Sequence, residues 1–216
     1  MDKKTMDLQR TYLENDWYEG VIPGNVVLEK DVYLDTSYSF AAFRSQQNPG
    51  LILEAASGVY DRTNLIVGPQ GFVTVGAYTC LNGTTLICEN RLIIGRHCLL
   101  AWGVVITDNW LSPNVSLAAR RDLLQTVAFS SDRHLPSIST PQAVTLEDNV
   151  WVGFDTVVLP GVTLGRGCII GCKSVVKENI PPYAIAVGNP LRIVRYLEAD
   201  DTDEVRQRLL KEYAHA

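Results

Sequence analysis

The chain has few histidines and no paired cysteine motif, and both absences restrict the chemistry it can perform. Its 216 residues include three histidines, which are His97, His134 and His215. A zinc centre of three imidazoles would use every one of them, so we expect no histidine-based metal site. The five cysteines form no CxxC pair, and this pattern predicts buried free thiols rather than metal ligands or disulfides.

Long apolar runs and an excess of positive charge are also missing. No apolar stretch reaches the roughly 18 residues of a membrane-spanning helix, and the first residues, MDKKTMDLQR, lack the apolar core of a secretory signal peptide. The formal net charge of −5 disfavours non-specific binding to nucleic acid or to an anionic membrane. We therefore expect a cytoplasmic protein with no membrane span and no nucleic-acid partner.

The sequence has instead a large apolar residue at every sixth position. The longest regular run is Leu146, Val152, Val158, Leu164, Ile170 and Val176. The same spacing joins Ile22 to Leu28, Leu34 and Phe40, joins Val75 to Leu81 and Ile87, and resumes after a slip of one residue at Ile94, Leu100 and Ile106. A period of six fits neither an amphipathic helix nor an isolated strand. It predicts an all-β solenoid in which each unit forms one short face and three units close a coil.

The repeat also predicts how the chain is organised. We expect a short helical segment over residues 1–21, a β-helix domain over residues 22–190, and a C-terminal segment with a second short helix over residues 191–216. Residues 109–143 lack the repeat and predict a long excursion from the solenoid. A long loop on a rigid scaffold is a common place for a binding site, although a plain connection or a contact between subunits would also explain it.

Three segments near the end of the repeat resemble the C-terminal signature of the hexapeptide-repeat acyltransferases. They are residues 149–153 (NVWVG), 159–165 (LPGVTLG) and 180–190 (IPPYAIAVGNP). The resemblance is strong over residues 144–196 and extends weakly back to about residue 22. That family includes galactoside, maltose and xenobiotic acetyltransferases and sugar O-acetyltransferases.

This resemblance implies a fold, an assembly and an activity. The fold is a left-handed parallel β-helix, and the assembly is a homotrimer in which a long loop reaches the adjacent subunit. The activity is O- or N-acetylation with acetyl-CoA as acyl donor, bound between neighbouring subunits. The implied acceptor is a sugar, a sugar nucleotide or a similar small polyhydroxylated molecule.

The resemblance also assigns residues to the cofactor. In the family, small residues at solenoid corners line the pantetheine arm, and the matching positions here are Gly153, Phe154, Gly171 and Cys172. Phe154 and Cys172 are larger than the usual residues, which predicts an altered groove. Candidates for the CoA phosphates are Lys173, Lys177, Arg192 and Arg195, with solvated corner charges as the alternative. Trp151 is expected to line the pantetheine channel or to pack against the base of the loop.

The chain departs from the family at the catalytic base. In the family a histidine deprotonates the acceptor and a backbone N–H stabilises the oxyanion. Asn109 stands where that histidine is expected, and an amide does not exchange a proton near neutral pH. Three hypotheses remain. His134 in the excursion serves as the base, or Asp108 serves if burial raises its pKa, or the protein is a catalytically impaired trimer that acts as a binding or scaffold protein.

Overall fold

The computed structural model describes residues 13–110, 116–131 and 139–198, and most of its regular structure is β-strand. In chain order the strands are β1 (Val26–Leu28), β2 (Tyr33–Leu34), β3 (Leu51–Leu53), β4 (Gly58–Tyr60), β5 (Asn64–Val67), β6 (Phe72–Val75), β7 (Cys80–Asn82), β8 (Thr85–Cys88), β9 (Arg91–Ile94), β10 (Leu99–Leu100), β11 (Val105–Thr107), β12 (Val144–Leu146), β13 (Trp151–Val152), β14 (Val157–Val158), β15 (Thr163–Leu164), β16 (Ile169–Ile170), β17 (Val175–Val176), β18 (Ala184–Val187) and β19 (Arg192–Tyr196). A 3₁₀ helix (Ser37–Phe40) follows β2, and the α-helix α1 (Leu117–Phe129) lies between β11 and β12.

These strands form three sheets, which consecutive strands enter in turn. The six-stranded sheet has the order β1-β3-β6-β9-β12-β15, the eight-stranded sheet β19-β18-β16-β13-β10-β7-β4-β2, and the five-stranded sheet β17-β14-β11-β8-β5. All strand pairs in the described residues are parallel except β18 with β19. We call one pass of the chain through the three sheets a coil. The prediction of a mostly β fold with parallel strands is confirmed.

The apolar residues of the repeat form the core. Leu146 pairs in register with Leu164, and Val152 pairs with Ile170, so equivalent residues stack from one coil to the next. All six residues of the longest run are almost completely buried. Parallel neighbours lie about 4.8 Å apart, and each aliphatic side chain therefore covers the one in the adjacent coil.

Three residues of the predicted repeat are not fully buried, and one of them, Leu34, packs partly buried against the core. Leu28 is exposed because β1 is the first strand of its sheet and no earlier strand pairs with it. Ile87 is only partly buried, whereas its neighbour Leu86 is fully buried. The change of phase in the repeat therefore begins before residue 87, one strand earlier than the sequence suggested.

The corners between the six-stranded and eight-stranded sheets use left-handed backbone. Successive corners carry residues with positive φ, which are Asp31, Ala56, Tyr78, His97, Asn149, Gly167 and Tyr183. Acidic side chains cross from one coil to the next at such corners, as where Glu54 Oε2 accepts from the Ala77 N–H at 3.1 Å and Asp148 Oδ1 accepts from the Arg96 N–H at 2.8 Å. These contacts satisfy main-chain donors that the turn leaves unpaired.

The excursion is joined at its base and carries α1 outward. The Trp110 N–H donates to Ser139 Oγ at 3.0 Å, and that hydroxyl donates to the Trp110 carbonyl at 2.8 Å. Ser116 caps α1 by accepting from the Ala119 N–H. No side chain of α1 is buried, and Phe129 at its end is 92% exposed. Within the described chain no helix is long and apolar enough to span a bilayer.

The two terminal helices of the sequence prediction fall mainly on residues outside those described. Residues 13–21 are described and form turns rather than helix. The C-terminal helix predicted beyond residue 198 lies wholly outside the described residues.

Candidate functional site

Six of the residues predicted to bind the cofactor meet where the eight-stranded sheet turns into the five-stranded sheet. They are Trp151, Gly153, Phe154, Gly171, Cys172 and Lys173, from two neighbouring coils. The Gly153 N–H donates to the Ile170 carbonyl at 2.8 Å, and the Lys173 N–H donates to the Phe154 carbonyl at 2.7 Å. The two coils are therefore in direct contact along this edge, which we call the cofactor corner.

Close packing between the two coils is a sufficient reason for glycine at position 153. A Cβ atom there would lie 2.8 Å from Cys172 N and 2.9 Å from Cys172 Sγ. The side chain of Cys172 is exposed, in contrast to the expectation that the thiols are buried, whereas Cys88, Cys98 and Cys168 are buried as expected. Burial raises the pKa of Cys98 to about 11 and that of Cys168 to about 12, so these thiols stay protonated.

An aromatic pair extends the cofactor corner into the preceding coil, and the sequence analysis missed it. The ring of Trp102 stacks on that of Phe154 with centroids 5.8 Å apart and an interplanar angle of 10°. The Trp102 Nε1–H donates to Asp61 Oδ2 at 2.8 Å. Both rings are about half exposed, at 48% and 47%. Trp102 followed by Gly103 occupies the same place in its coil as Phe154 followed by Asp155, and that correspondence was a signal in the sequence.

The four predicted basic residues are all exposed, but they do not converge on one point. Arg192 pairs with Val187, and the Val175 N–H donates to the neighbouring Gly188 carbonyl at 3.3 Å, so Lys173 and Arg192 lie near the same corner. Arg195 lies opposite Ile185 on the outer face of the eight-stranded sheet. Lys177 follows β17 at its far end. The structure thus brings two of the four cations to the cofactor corner.

Asp108 lies beyond the other end of β11 and is fully buried. Its Oδ1 accepts from the Glu89 N–H at 2.8 Å, and its Oδ2 accepts from the N–H groups of Asn90 and Arg91 at 2.7 and 2.8 Å. It thereby closes the turn between β8 and β9. Burial, followed by the charge of Asp108, raises the pKa of both Glu89 and Cys88. Three main-chain donors occupy the carboxylate, and this arrangement favours a structural role over that of a base.

Asn109 follows Asp108 and is 6% exposed. Its backbone is held by Thr107, whose Oγ1 accepts from the Asn109 N–H at 3.2 Å and donates to the Asn109 carbonyl at 2.8 Å. Its side-chain oxygen, Oδ1, is buried and has no hydrogen-bond partner. The position predicted for the catalytic base is therefore a fixed, buried amide.

The remaining predicted base, His134, lies outside the described residues, as does His215. The role of His134 stays a prediction. Across residues 13–110, 116–131 and 139–198 no cluster of three His, Cys, Asp or Glu side chains is arranged to hold a metal ion.

The cofactor corner and Asn109 lie at opposite ends of the five-stranded sheet. Trp102 precedes β11 and Asn109 follows it. The five residues from Val104 to Asp108 make four steps of extended chain, which span roughly 13 Å at about 3.3 Å per step. The two groups of predicted site residues therefore lie at opposite edges of this sheet within one chain.

The repeat itself matches a known family. Residues 143–178 match the family model described as bacterial transferase hexapeptide (six repeats). A relative from Schizosaccharomyces pombe, named "Putative acetyltransferase", is 40% identical over 88 residues, which cover 41% of this chain and 40% of the relative. A relative of the same description from Saccharomyces cerevisiae is 27% identical over 142 residues, covering 64% and 70%. The chain thus spans less than half of the S. pombe relative.

Solved structures agree on the fold. A mutant of AntD, an N-acyltransferase from Bacillus cereus in complex with dTDP and coenzyme A, superposes with a TM-score of 0.62 at 18% identity over 86% of this chain and 91% of that one. A hexapeptide-repeat acetyltransferase from Vibrio cholerae, complexed with acetyl-CoA, has a TM-score of 0.53 at 24% identity over 69% and 72%. The chain is therefore similar to hexapeptide-repeat acetyltransferases in its repeat and in its fold, and the resemblance that its sequence predicted is confirmed.

Proposed function

We propose that the protein is an acetyltransferase that takes its acetyl group from acetyl-CoA and transfers it to a hydroxyl or amine of a small carbohydrate or sugar nucleotide. In this proposal the three sheets are the faces of one left-handed parallel β-helix over residues 22–190, and three chains form the active assembly. The observation that carries the proposal is the cofactor corner, where predicted cofactor residues from consecutive coils lie side by side. The acetyltransferase names of the relatives and the CoA-bound structures of similar fold support it.

The residues of the corner fit a CoA molecule by their chemistry. Lys173 and Arg192 are exposed cations near one corner, and within the described residues neither lies in an ion pair, so both are free to meet phosphates. The half-exposed rings of Trp102 and Phe154 offer an apolar wall beside these cations. When bound, acetyl-CoA supplies an acetyl group activated as a thioester. The larger Phe154 and Cys172 alter the groove without closing it, because both side chains are exposed.

The distribution of the predicted site residues supports a site shared between two copies of the chain. Asn109 and the cofactor corner lie at opposite ends of β11, roughly 13 Å apart along the strand, and this separation suits a site whose two halves come from two copies. Helix α1 has 13 residues and buries no side chain of its own. Since isolated helices of about this length are marginal in water, its exposed Leu117 and Leu124 support packing against a neighbouring subunit.

The proposal is tested by binding and turnover together. Calorimetry with CoA should detect binding that weakens as salt rises, because screening reduces the attraction between phosphates and basic side chains. Release of free thiol from acetyl-CoA should depend on an acceptor, with maltose, isopropyl thiogalactoside and D-glucosamine as probes. Absence of CoA binding at low salt would contradict the proposal.

A catalytically impaired binding or scaffold protein is the second candidate, and the amide at position 109 favours it. It predicts that CoA binds in calorimetry while no acceptor promotes thiol release. An acetyltransferase predicts both signals, so the same two measurements separate the two functions.

A further inference from the structure

The side chain of Asn109 stands out from its surroundings by its hydrogen bonding. Asp108 accepts three main-chain hydrogen bonds, Thr107 both donates and accepts, and Ser139 pairs with Trp110 at the base of the excursion. Among the residues that the structure describes, Asn109 Oδ1 is the buried side-chain oxygen or nitrogen that lacks a partner. Buried polar atoms are paired in the great majority of cases, so an exception needs an explanation.

The local structure keeps this atom where it is. The two hydrogen bonds with Thr107 fix the backbone of Asn109, and the Gln142 N–H donates to the carbonyl of the preceding Asp108 at 2.6 Å. The residue as a whole is 6% exposed, but its Oδ1 atom is buried, and bulk water does not compensate the carbonyl. The free protein therefore carries a cost at this position that a ligand with a suitable donor would remove.

We propose that Asn109 Oδ1 accepts a hydrogen bond from the nucleophilic hydroxyl or amine of the acceptor substrate. This inference rests on the proposed acetyltransferase function and deepens it. Asn109 binds and orients the attacking group but does not take its proton, because the amide oxygen is an acceptor of very low basicity. A site built around a lone buried acceptor also discriminates against molecules that lack the donor, since the carbonyl would then remain unpaired.

The inference predicts opposite effects on stability and on function. Asn109→Leu replaces the unpaired amide with an apolar group of similar size, and should leave the melting temperature unchanged or raise it by about 2–4 °C. The same substitution should raise the KM for the acceptor at least about tenfold while the affinity for CoA stays the same. Asn25→Leu is the matched control, because the Asn25 amide donates to the carbonyls of Ser45 and Gln47 at 2.9 and 2.8 Å. Losing those two bonds should lower the melting temperature.

The experiment compares wild type, Asn109→Leu, Asn109→Ala and Asn25→Leu by thermal unfolding, by CoA calorimetry and by acceptor kinetics with maltose, isopropyl thiogalactoside and D-glucosamine. If the leucine variant does not fold, the alanine variant gives the same kinetic comparison. A drop in melting temperature for both Asn109 variants as large as that for Asn25→Leu would overturn the inference, because it would mean that the amide is already satisfied in the free protein. If an Asn109 variant is active and its KM for the acceptor is unchanged, the inference about Asn109 is wrong but the proposed acetyltransferase function stands. If the wild type is inactive on all three probes, both the inference and the proposed function are overturned.

Discussion

Asp108 and Asn109 are adjacent in the chain, but their side chains are in opposite hydrogen-bonding states. The Asp108 carboxylate is engaged by three main-chain N–H groups, whereas the Asn109 carbonyl is engaged by none. The first arrangement stabilises a turn and the second stabilises nothing in the free protein. We therefore assign Asp108 to structure and Asn109 to substrate, and neither assignment supplies a general base.

His134 is consequently the side chain that we propose as the base. Loss of a general base costs about 10² to 10⁴ in rate, so His134→Ala should reduce kcat by that factor while CoA binding is retained. Initial rates with the best acceptor probe, together with CoA calorimetry on the same preparation, check this prediction. His97→Ala is the matched control, because His97 is an exposed corner residue stacked on Tyr78. Equal rates for wild type and His134→Ala would assign the proton transfer to another group.

The carboxyl group of Asp16 contributes to the stability of the fold at low pH. Burial raises its pKa, but hydrogen bonds from the hydroxyls of Ser37 and Thr36 and from main-chain N–H groups outweigh burial and lower it to about 2. A carboxyl with a depressed pKa stabilises the fold above its unfolded value, near 3.8, and this contribution is lost as the pH falls through about 2. The wild type should therefore lose more melting temperature between pH 5 and pH 2 than Asp16→Asn does. The prediction would be contradicted if the melting temperatures of the two proteins fell by the same amount between pH 5 and pH 2.

At the scale of the structural element, the cofactor corner is a column of equivalent positions from successive coils. Trp102, Phe154 and Cys172 occupy this column in turn, and each continues the surface of the one before. The Trp102 ring lies over Gly83, where an added Cβ would approach its Cδ1 atom to 2.8 Å. A large residue substituted at any one position of this column therefore changes a continuous surface rather than one isolated contact.

The exposed thiol of Cys172 gives a direct probe of this corner. Cys172 should react with a maleimide faster than Cys88, Cys98 and Cys168, because those three are buried. If CoA lies along the corner, a saturating concentration should slow the alkylation of Cys172 at least about tenfold, since bound ligand excludes the reagent. Mass spectrometry of tryptic peptides measures the rate at each site, and Cys172→Ser identifies the assigned peptide. A rate that CoA does not change would place the cofactor elsewhere.

The sequence predicted regular elements better than irregular ones. The six-residue spacing predicted the six buried residues from Leu146 to Val176, because each face of a coil repeats the same requirement for one aliphatic side chain. It placed Ile87 in the core instead of Leu86, because the buried Leu86 follows Leu81 by five residues rather than six and the apolar residues themselves are unchanged. It did not predict α1, whose signals were a Ser116 cap followed by good helix formers, because a helix without a buried face has no apolar period.

The candidate site was predicted in part for the same reason. The resemblance assigned Gly153, Phe154, Gly171 and Cys172 to the cofactor, and because they hold equivalent places in two coils the structure brings them together at one corner. The contribution of Trp102 required knowledge of which coils are adjacent across the excursion, where β10 pairs with β13. The unpaired state of Asn109 Oδ1 depends on side-chain positions that no spacing in the sequence encodes.

At the scale of the whole molecule, the stack of coils holds the cofactor corner and Asn109 apart, although the proposed reaction uses both. The five-stranded sheet holds the cofactor corner at one edge and Asn109 at the other, and strand length keeps the two edges apart. In a cyclic trimer each interface is heterologous, and opposite edges of neighbouring chains meet there. The resemblance implies such a trimer, so we predict that the protein sediments as one, with each site built from two chains.

Mixed trimers test this shared site. One variant carries Lys173→Ala and Arg192→Ala and so lacks the cations of the cofactor corner, and the other carries Asn109→Leu. Each should be nearly inactive alone at low acceptor and cofactor concentrations. After unfolding and joint refolding at equal amounts, about a quarter of the interfaces should combine an intact corner from one chain with an intact Asn109 from the next. The mixture should then recover about a quarter of wild-type activity, whereas the same variants refolded separately and then combined give the control. A mixture that stays as inactive as the control would mean that each site is contained within one chain.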